Sequence, residues 1–338
     1  MLYVSHPCTD PYWNLAAEEY LLKEFQQPIF RLWRNQNAII VGRYQNTLAE
    51  VDINYVKENS IKVVRRLTGG GAVFHDLGNL NFTFIEARIP GEDASAMFRR
   101  FTQPIIEALN NIGIKAYLEG RNDLLIEGRK FSGNAVCIHN NRILQHGTLL
   151  FNASMGNLAA ALKSRPEKFI GKAVQSNRSR VTNISEHLPC SFPADVTPVT
   201  DIASFWNYLE QYICNRHPEI EPYTLTQEDI RAIDALCQEK YSQESWNFGS
   251  SPAYSFSKTA KLTGGIVELF LTTSKGAISE LKIMGDYFFT LPTEEFCQKL
   301  IGTPHTIEAI RTALEEIPTA SYFNNISMEE IVGMFFEQ

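Results

Sequence analysis

Residues 65–76 read RRLTGGGAVFHD, and their three consecutive glycines stand between two strand-like runs at 61–66 and 72–74. Glycine lets a backbone bend tightly and expose N–H groups to which anions bind. The pattern is not GxxxxGK[ST], and it does not open a helix as GxGxxG does, so it indicates neither a P-loop nor a dinucleotide-binding fold. Taken alone, the triple glycine is equally consistent with a structural bulge or turn.

The chain around the glycines alternates between helix and strand. The spacing of apolar residues predicts a helix at 14–25 and strands at 29–33 and 38–42. Residues 75–79 read as a turn that leads into a strand at 81–87. We therefore expect the strands that flank the glycines to form a meander and not a βαβ unit.

The middle of the chain predicts a long helix followed by an antiparallel sheet. The helix covers 94–113, and Pro104 should kink or break it. The strands, joined by short turn-like steps, are predicted at 115–119, 123–127, 130–139 and 142–151. Further helices are predicted at 201–216 and 227–241, and the composition changes near Gly249.

These elements predict an α+β protein, because helices are segregated from antiparallel strands. A length of 338 residues suits about two domains. We place a domain with a large mixed or antiparallel sheet at 1–248 and a small α+β domain at 249–338.

Composition excludes several classes of protein. Hydrophobic residues make up 44% and charged residues 20%, without a disorder signature. The six cysteines show neither a CxxC pair nor a metal-ligand spacing with histidine, which argues against zinc and against a disulfide framework. A net charge of -7 argues against non-specific nucleic-acid binding. We expect a cytoplasmic protein without a membrane partner, since no signal peptide and no run of ~20 apolar residues is present.

Two further signatures follow the glycines: GRNDLLIEGRKFSG at 120–133 and QHGTLL at 145–150. Lys130 stands beside Gly133 between two strand-like runs, where its compact charge could reach a phosphate or carboxylate held by the glycines. A lysine in a hairpin is more often simply solvated. Asp123 lies in a turn composition, where an aspartate commonly satisfies its own backbone. The three signatures together predict a nucleotide and acyl site that suits an acyl-adenylate.

The three signatures resemble those of the bacterial lipoate-protein ligase A family. The resemblance extends over nearly the whole chain, through PYWNLAAEE at 11–19, LWRNQNAIIVGRYQN at 32–46, SNRSRVTN at 176–183 and WNFGSSPAYS at 246–255. It implies the catalytic core shared with biotin protein ligases plus a small C-terminal domain. The implied activity is ATP-dependent: lipoate becomes lipoyl-AMP, and the lipoyl group passes to an acceptor lysine. The implied acceptors are the lipoyl domains of 2-oxoacid dehydrogenase E2 subunits and the glycine cleavage H protein.

The resemblance also implies roles for particular residues, with Lys130 as the catalytic residue. ATP would contact Arg66, Gly71, Ala72, Val73, Phe74 and Lys130, and lipoate would contact Gly70, Lys130 and His146. Asp123 would bind Mg²⁺, and Lys172, Arg178 and Arg180 would lie on a segment that closes over the adenylate. Because neighbouring strand residues face opposite ways, Arg65 is expected to be a surface or structural charge.

Some interpretations remain open at this stage. Trp13, Leu15, Val41 and Phe74 are candidates for an apolar tunnel that holds the acyl chain. Cys137 could form an acyl thioester as in related transferases, although its apolar strand favours a core position. His75 and Asp76 are expected in a turn. A transferase that uses preformed lipoyl-AMP or a protein-bound octanoyl or lipoyl group, and a non-catalytic lipoyl-binding protein, are the alternative functions.

Overall fold

The computed structural model describes residues 1–45, 47–51, 53–154, 181–248, 256–274 and 276–336. The strands, in chain order, are β1 Leu2–Val4, β2 Ile29–Trp33, β3 Ala38–Val41, β4 Lys62–Arg65, β5 Val73–His75, β6 Asn79–Ala87, β7 Ala116–Glu119, β8 Asp123–Ile126, β9 Arg129–His139, β10 Arg142–Leu150, β11 Glu221–Tyr223, β12 Phe256–Leu262, β13 Gly265–Ser274 and β14 Ala277–Gly285.

The α-helices are α1 Pro11–Glu24, α2 Thr47–Glu50, α3 Ile53–Glu58, α4 Ala94–Asn111, α5 Ile202–Arg216, α6 Gln227–Leu236, α7 Glu244–Asn247, α8 Thr293–Leu300, α9 Ile307–Glu315, α10 Thr319–Tyr322 and α11 Met328–Val332. A π-helical turn at Cys237–Tyr241 extends α6, and short 3-10 turns lie at Ile184–His187 and Gly333–Phe335. None of the helices in the described residues is both long and apolar enough to cross a membrane.

The largest sheet has eight strands in the order β11-β1-β2-β6-β10-β9-β8-β7. It is mixed, because β1 pairs in parallel with β2 and β11 whereas the pairs from β2 to β7 are antiparallel. Side chains alternate between its faces, so Phe82 and Phe84 pack in the cluster with α4, while Ile85 packs in the cluster with α1. Helices on both faces explain why the central strand β6 is buried.

Helix α4 continues through Pro104 from Ala94 to Asn111, so the predicted break is wrong. Pro104 lacks the N–H that would bond to the carbonyl of Arg100. Both residues lie on the partly exposed side of the helix, where that carbonyl can be hydrated. The buried side, which includes Phe98, Phe101 and Ile105, is uninterrupted and holds the helix against the sheet.

The glycines connect two strands of a separate sheet with the order β4-β3-β5. The expected meander is wrong, because β4 pairs in parallel with β3 after a crossover through α2 and α3, and β5 pairs antiparallel on the other side of β3. Residues 66–72, hereafter the glycine loop, must therefore cross the end of β3. The crossing is close: a Cβ added at Gly42 would lie 1.9 Å from the Gly70 carbonyl oxygen.

Strands β12, β13 and β14 form an antiparallel sheet with its own apolar cluster, to which α8 to α11 contribute. Tyr44 joins this cluster and stacks on Tyr287 with ring centroids 5.7 Å apart. The Gly285 N–H donates to the Tyr44 carbonyl at 2.7 Å. The predicted α+β class with a large mixed sheet and a small C-terminal α+β unit is confirmed, and the small unit contains a three-stranded sheet. The boundary at 248/249 stays a prediction, since Gly249 lies outside the described residues.

Candidate active site

A cleft with a cavity volume of about 190 Å³, partly open to solvent, lies where the glycine loop meets β9 and β10. The smaller unit contributes Phe288 to its wall. The lining includes apolar side chains, such as Leu15 and Ile40, and polar side chains, such as Lys130 and His146. The lining residues are Leu15, Trp33, Ile40, Arg66, Gly70, Gly71, Ala72, Val73, His75, Asn81, Asn122, Lys130, Gly133, Asn134, Ala135, His146, Gly147, Thr148 and Phe288.

A β-bulge sets the direction of Lys130. On β8, Leu124 pairs with Ser132, but the next residue, Leu125, pairs with Lys130, so Phe131 is an extra residue on β9. An extra residue shifts the alternation of side chains by one position, so residues before the bulge face the opposite side of the sheet from the one they would otherwise face. Phe131 is consequently buried in the core, while Lys130 and Gly133 both line the cleft.

The ammonium group of Lys130 is held over Gly133 and beside a carboxylate. Lys130 Nζ lies 2.7 Å from Asp123 Oδ1, and the two side chains are 39% and 40% exposed. A Cβ added at Gly133 would lie 3.0 Å from the same Nζ. Glycine at 133 therefore leaves the space that the lysine side chain needs, and Asp123 limits where the ammonium group points.

Arg66 is fully enclosed by the glycine loop. Its guanidinium donates to the carbonyls of Gly69 at 2.7 Å and Gly71 at 2.8 Å, to Thr68 Oγ1 at 2.9 Å and to the Ile40 carbonyl at 3.1 Å. Burial lowers the pKa of Arg66 to about 10, so the side chain stays charged at neutral pH. Arg66 thus holds the loop in shape while it also lines the cleft.

Arg65 faces the other way. Its guanidinium donates to the carbonyls of Gly42, Arg43, Gln45 and Asn247 at 2.8 to 3.1 Å, among other acceptors. It is 5% exposed and does not line the cleft. Because side chains alternate along β4, Arg66 faces the cleft, whereas Arg65 faces away from it and binds backbone carbonyls. This agrees with the structural role that the sequence indicated for Arg65.

His146 connects the cleft to a buried carboxylate. Its Nδ1 lies 3.0 Å from Glu18 Oε2, and its Nε2 lies 2.9 Å from Thr68 Oγ1. Burial by itself raises the pKa of Glu18, but the contacts with His146, Thr83 and Arg31 outweigh burial and leave the pKa below its usual value. Glu18 is therefore a carboxylate at neutral pH, and it fixes the orientation of the imidazole.

The sequence predicted that His75 lies in a turn. This prediction is wrong, because His75 is the last residue of β5. It is 3% exposed, and Asn35 Nδ2 lies 3.1 Å from its Nδ1. Burial, together with the nearby His146 and Arg66, lowers the pKa of His75 to about 3. Its imidazole is neutral at physiological pH.

The structure brings most of the proposed site residues together but not all. Arg66, Gly70, Gly71, Ala72, Val73, Lys130 and His146 line one cleft, as does the tunnel candidate Leu15. Phe74 does not, because it follows Val73 on β5 and points into the cluster that contains Val41. Trp13 packs in the α1 cluster and donates to Asp234 at 2.9 Å. Lys172, Arg178 and Arg180 lie outside the described residues.

The chain on either side of 155–180 is anchored next to the cleft. The Ser154 N–H donates to Asp76 Oδ2 at 2.7 Å, and the Ala153 N–H donates to Asn183 Oδ1 at 2.9 Å. The Thr182 N–H donates to the Lys130 carbonyl at 2.9 Å. The described chain thus ends beside Asp76 before this segment and resumes beside Lys130 after it.

Comparison with known proteins assigns the family. Residues 10–213 match the model for the lipoyl protein ligase A/B catalytic domain, and residues 251–335 match that for the bacterial lipoate protein ligase C-terminus. The lipoate-protein ligase LplJ of Bacillus subtilis is 38% identical over 99% of this chain and 100% of its own length. The chain belongs to the lipoate-protein ligase family. This confirms the resemblance seen in the sequence.

Two solved structures of lipoate-protein ligases share the architecture. A bipartite ligase of Thermoplasma acidophilum, analysed with its E2 lipoyl domain, is 30% identical with a TM-score of 0.62 over 75% of this chain and 98% of that chain. A lipoate-protein ligase A bound with ATP is 29% identical with a TM-score of 0.60 over 73% of this chain and 97% of that chain.

Sequence reasoning about this lipoate-protein ligase family member missed several residues at the cleft. Trp33, Asn122 and Asn134 line it, although Asn122 lay inside a quoted signature. Glu18 gave a usable signal, since a glutamate among the buried residues of α1 needs a charged or hydrogen-bonding partner. Phe288 gave no signal in the sequence, because it belongs to the smaller unit and is distant in the chain from the other residues of the cleft.

Proposed function

We propose that this protein is an ATP-dependent lipoate-protein ligase that works through lipoyl-AMP. The observation that carries the proposal is a single cleft in which the Lys130 ammonium group, the glycine loop and an apolar wall meet. Family membership and the ATP-bound relative support the same activity. The protein is an enzyme of the ligase class.

The apolar wall suits a fatty chain, and the polar part suits its carboxylate. Leu15, Trp33, Ile40 and Val73 offer a surface that removes an acyl chain from water. Lys130 offers a charge-assisted hydrogen bond to a carboxylate or phosphate oxygen at the other part of the cleft. This division orients the substrate with its reacting end toward the nucleotide.

The first half-reaction joins lipoate to AMP. A carboxylate oxygen of lipoate attacks the α-phosphorus of ATP, the bond to the β-phosphate oxygen breaks, and pyrophosphate leaves with the electron pair. Lys130 offsets the negative charge of the two reactants and of the developing product. Its fixed position over Gly133 also avoids reorganisation during the reaction, which is a large part of what such transfers need from a protein.

The second half-reaction transfers the acyl group. The neutral ε-amine of an acceptor lysine attacks the activated carbonyl, the mixed anhydride breaks, and AMP leaves, while the amine loses its proton to solvent. No covalent bond to the enzyme is required. We propose lipoyl domains of 2-oxoacid dehydrogenase E2 subunits and the glycine cleavage H protein as acceptors; the Thermoplasma relative studied with its E2 lipoyl domain supports the first.

Asp123 is the residue that would hold Mg²⁺. Within the described residues no cluster of three or more histidine, cysteine or acidic side chains is present, so a site built wholly from protein ligands is not offered there. Mg²⁺ commonly uses one or two carboxylates plus phosphate oxygens and water, and a half-exposed carboxylate beside the cleft fits that pattern. Bound there, the ion would neutralise phosphate charge.

Lys172, Arg178 and Arg180 are proposed to act on a segment that closes over the adenylate. The support is positional: the described chain on both sides of 155–180 is hydrogen-bonded beside Lys130 and Asp76. Excluding water would protect a mixed anhydride from hydrolysis.

A thioester-forming transferase is the alternative, and Cys137 argues against it. The thiol is 6% exposed, does not line the cleft, and has its pKa raised by burial and by Glu18 and Glu19. A reactive thiol requires the thiolate form and access to substrate. Cys137 has neither.

Release of pyrophosphate from ATP with free lipoate, measured without any acceptor, tests the proposal. We expect release that depends on lipoate, and mass spectrometry should then show one lipoyl group added to a lysine of a supplied lipoyl domain. If modification occurs only when lipoyl-AMP or an acylated carrier protein is supplied, the enzyme is a transferase and the proposal fails.

A further inference from the structure

His75 has a buried ring nitrogen whose hydrogen-bonding capacity is unused. Its Nε2 has no partner among the described residues, and the atom is inaccessible to water. Several other residues also have a buried side-chain nitrogen or oxygen without a hydrogen-bond partner. Among these residues of the described structure, only His75 lines the cleft. Buried polar atoms are nearly always paired, so an unpaired one at a cleft indicates a partner that arrives with the ligand.

A chain of hydrogen bonds determines which ring nitrogen carries the proton. Arg31 can only donate, and its guanidinium contacts Asn14 Oδ1, so Asn14 Nδ2 is the donor to Asn35 Oδ1 at 3.0 Å. Asn35 must then present Nδ2 to His75, whose Nδ1 accepts at 3.1 Å. Since the imidazole is neutral, the proton resides on Nε2. The unused group is therefore an N–H donor.

The His75 ring lies beside an apolar residue of the cleft wall, with its centroid 6.3 Å from that of Trp33. Val73 and His75 are two residues apart on β5, so they share a face, and Val73 is the nearer to the loop. Leu15, Trp33 and Ile40 line the same cleft. A fatty acid with its carboxylate at Lys130 would run past Val73 toward His75.

We infer that His75 Nε2–H donates to a sulfur atom of the lipoyl dithiolane ring and is a specificity-determining residue that favours lipoate over octanoate. The inference rests on the proposed function. Octanoate has the same chain length without the ring sulfurs, so it would leave the donor buried and unpaired. A disulfide sulfur is a weak acceptor, and an unpaired donor in a ligand site lowers the affinity for an analogue that cannot satisfy it.

The test compares kcat/KM for pyrophosphate release with lipoate and with octanoate. His75→Leu removes the donor, whereas His75→Gln can place an amide N–H near the position of Nε2. We expect the lipoate-to-octanoate ratio to fall by about tenfold in His75→Leu and to be largely retained in His75→Gln, as for a hydrogen bond that only one substrate completes. The matched control is His217→Leu at an exposed site, where the ratio should not change.

A ratio in His75→Leu equal to that of the wild type would overturn the inference. Should that variant fail to fold, ¹H–¹⁵N NMR of the wild-type imidazoles decides: the His75 Nε2–H signal should shift with lipoate and not with octanoate. Equal shifts with both acids, or none with lipoate, would also overturn it. Absence of pyrophosphate release with either acid would instead contradict the proposed function, and the NMR comparison would still decide the role of His75.

Discussion

Lys130 Nζ lies 2.7 Å from Asp123 Oδ1, and a β-bulge at Phe131 directs the lysine side chain over Gly133 into the cleft. The same chain contains a closely matched surface pair, Lys62 with Asp10 at 2.8 Å, whose members are 44% and 39% exposed. Lys130 lines the cleft and Lys62 does not, so the two pairs allow the proposed catalytic role of Lys130 to be tested against an ordinary surface ion pair.

Replacing Lys130 by alanine should lower lipoate-dependent pyrophosphate release by on the order of a hundredfold or more, as loss of one preorganised charged donor does elsewhere. Thermal unfolding should change little, because an exposed ion pair adds little stability. Lys62→Ala, the matched control, should keep its activity. Similar rates in the two variants would exclude Lys130 from catalysis.

Asp123→Asn should raise the Mg²⁺ concentration needed for half-maximal pyrophosphate release, because a carboxylate ligand becomes a neutral amide. Titration with Mg²⁺ at fixed ATP measures this. The control is Glu127→Gln, which removes a carboxylate from the exposed turn of the same β8–β9 hairpin without touching the cleft. An unchanged Mg²⁺ dependence in Asp123→Asn would contradict the assignment.

The three glycines should respond differently to alanine. At Gly69 the added Cβ would lie 2.6 Å from the Tyr287 carbonyl oxygen, and Gly70 has φ +89°, so both substitutions should lower the melting temperature. Gly71 has nothing within 4 Å of the added atom. Gly71→Ala should therefore fold normally, and its methyl group should reduce activity by narrowing the cleft. Equal melting temperatures for all three variants would refute this account of the loop.

Glu18→Gln should destabilise the protein at neutral pH by about 1 to 3 kcal/mol, the cost of an impaired buried hydrogen bond. The pKa of Glu18 is lowered on folding, so its stabilising contribution is present above the pKa of the unfolded chain and is lost as pH falls through the folded pKa. Denaturant unfolding at several pH values should show the difference from wild type shrinking in acid. A difference that grows in acid would contradict a stabilising role of the Glu18 carboxylate.

His75 should make stability depend on pH above the carboxylate range. Its folded pKa of about 3 lies below the usual 6.5, so between these values the unfolded chain binds a proton that the native protein does not. Stability therefore falls as pH drops below 6.5. Between about pH 5 and pH 6, the wild-type slope should approach 1.4 kcal/mol per pH unit more than that of His75→Gln. Parallel slopes would show that His75 is not buried and neutral.

Much of the fold could be predicted from local patterns. The strands of the middle sheet were found to within a residue or two at each end, because alternating side chains and short turns are local signals. The helix break at Pro104 was wrong because burial of one side of α4 outweighs the loss of one hydrogen bond. The predicted meander was wrong because β4 and β5 both pair with β3 and not with each other. Strand β3 lies earlier in the chain, before the crossover through α2 and α3, so local sequence patterns do not reveal this pairing.

The sequence by itself determined the ligase family of this protein through its three signatures, and it proposed the glycines, Lys130, Asp123 and His146 as residues of the site. Only the tertiary structure decided which of their neighbours line the cleft. Phe74 was separated from Val73 by strand alternation, and the bulge at Phe131 brought Lys130 and Gly133 to one face. The proton on His75 depends on Arg31 and Asn14 through Asn35. Motifs record residue types and spacing, whereas facing direction and tautomer depend on contacts between residues distant in the chain.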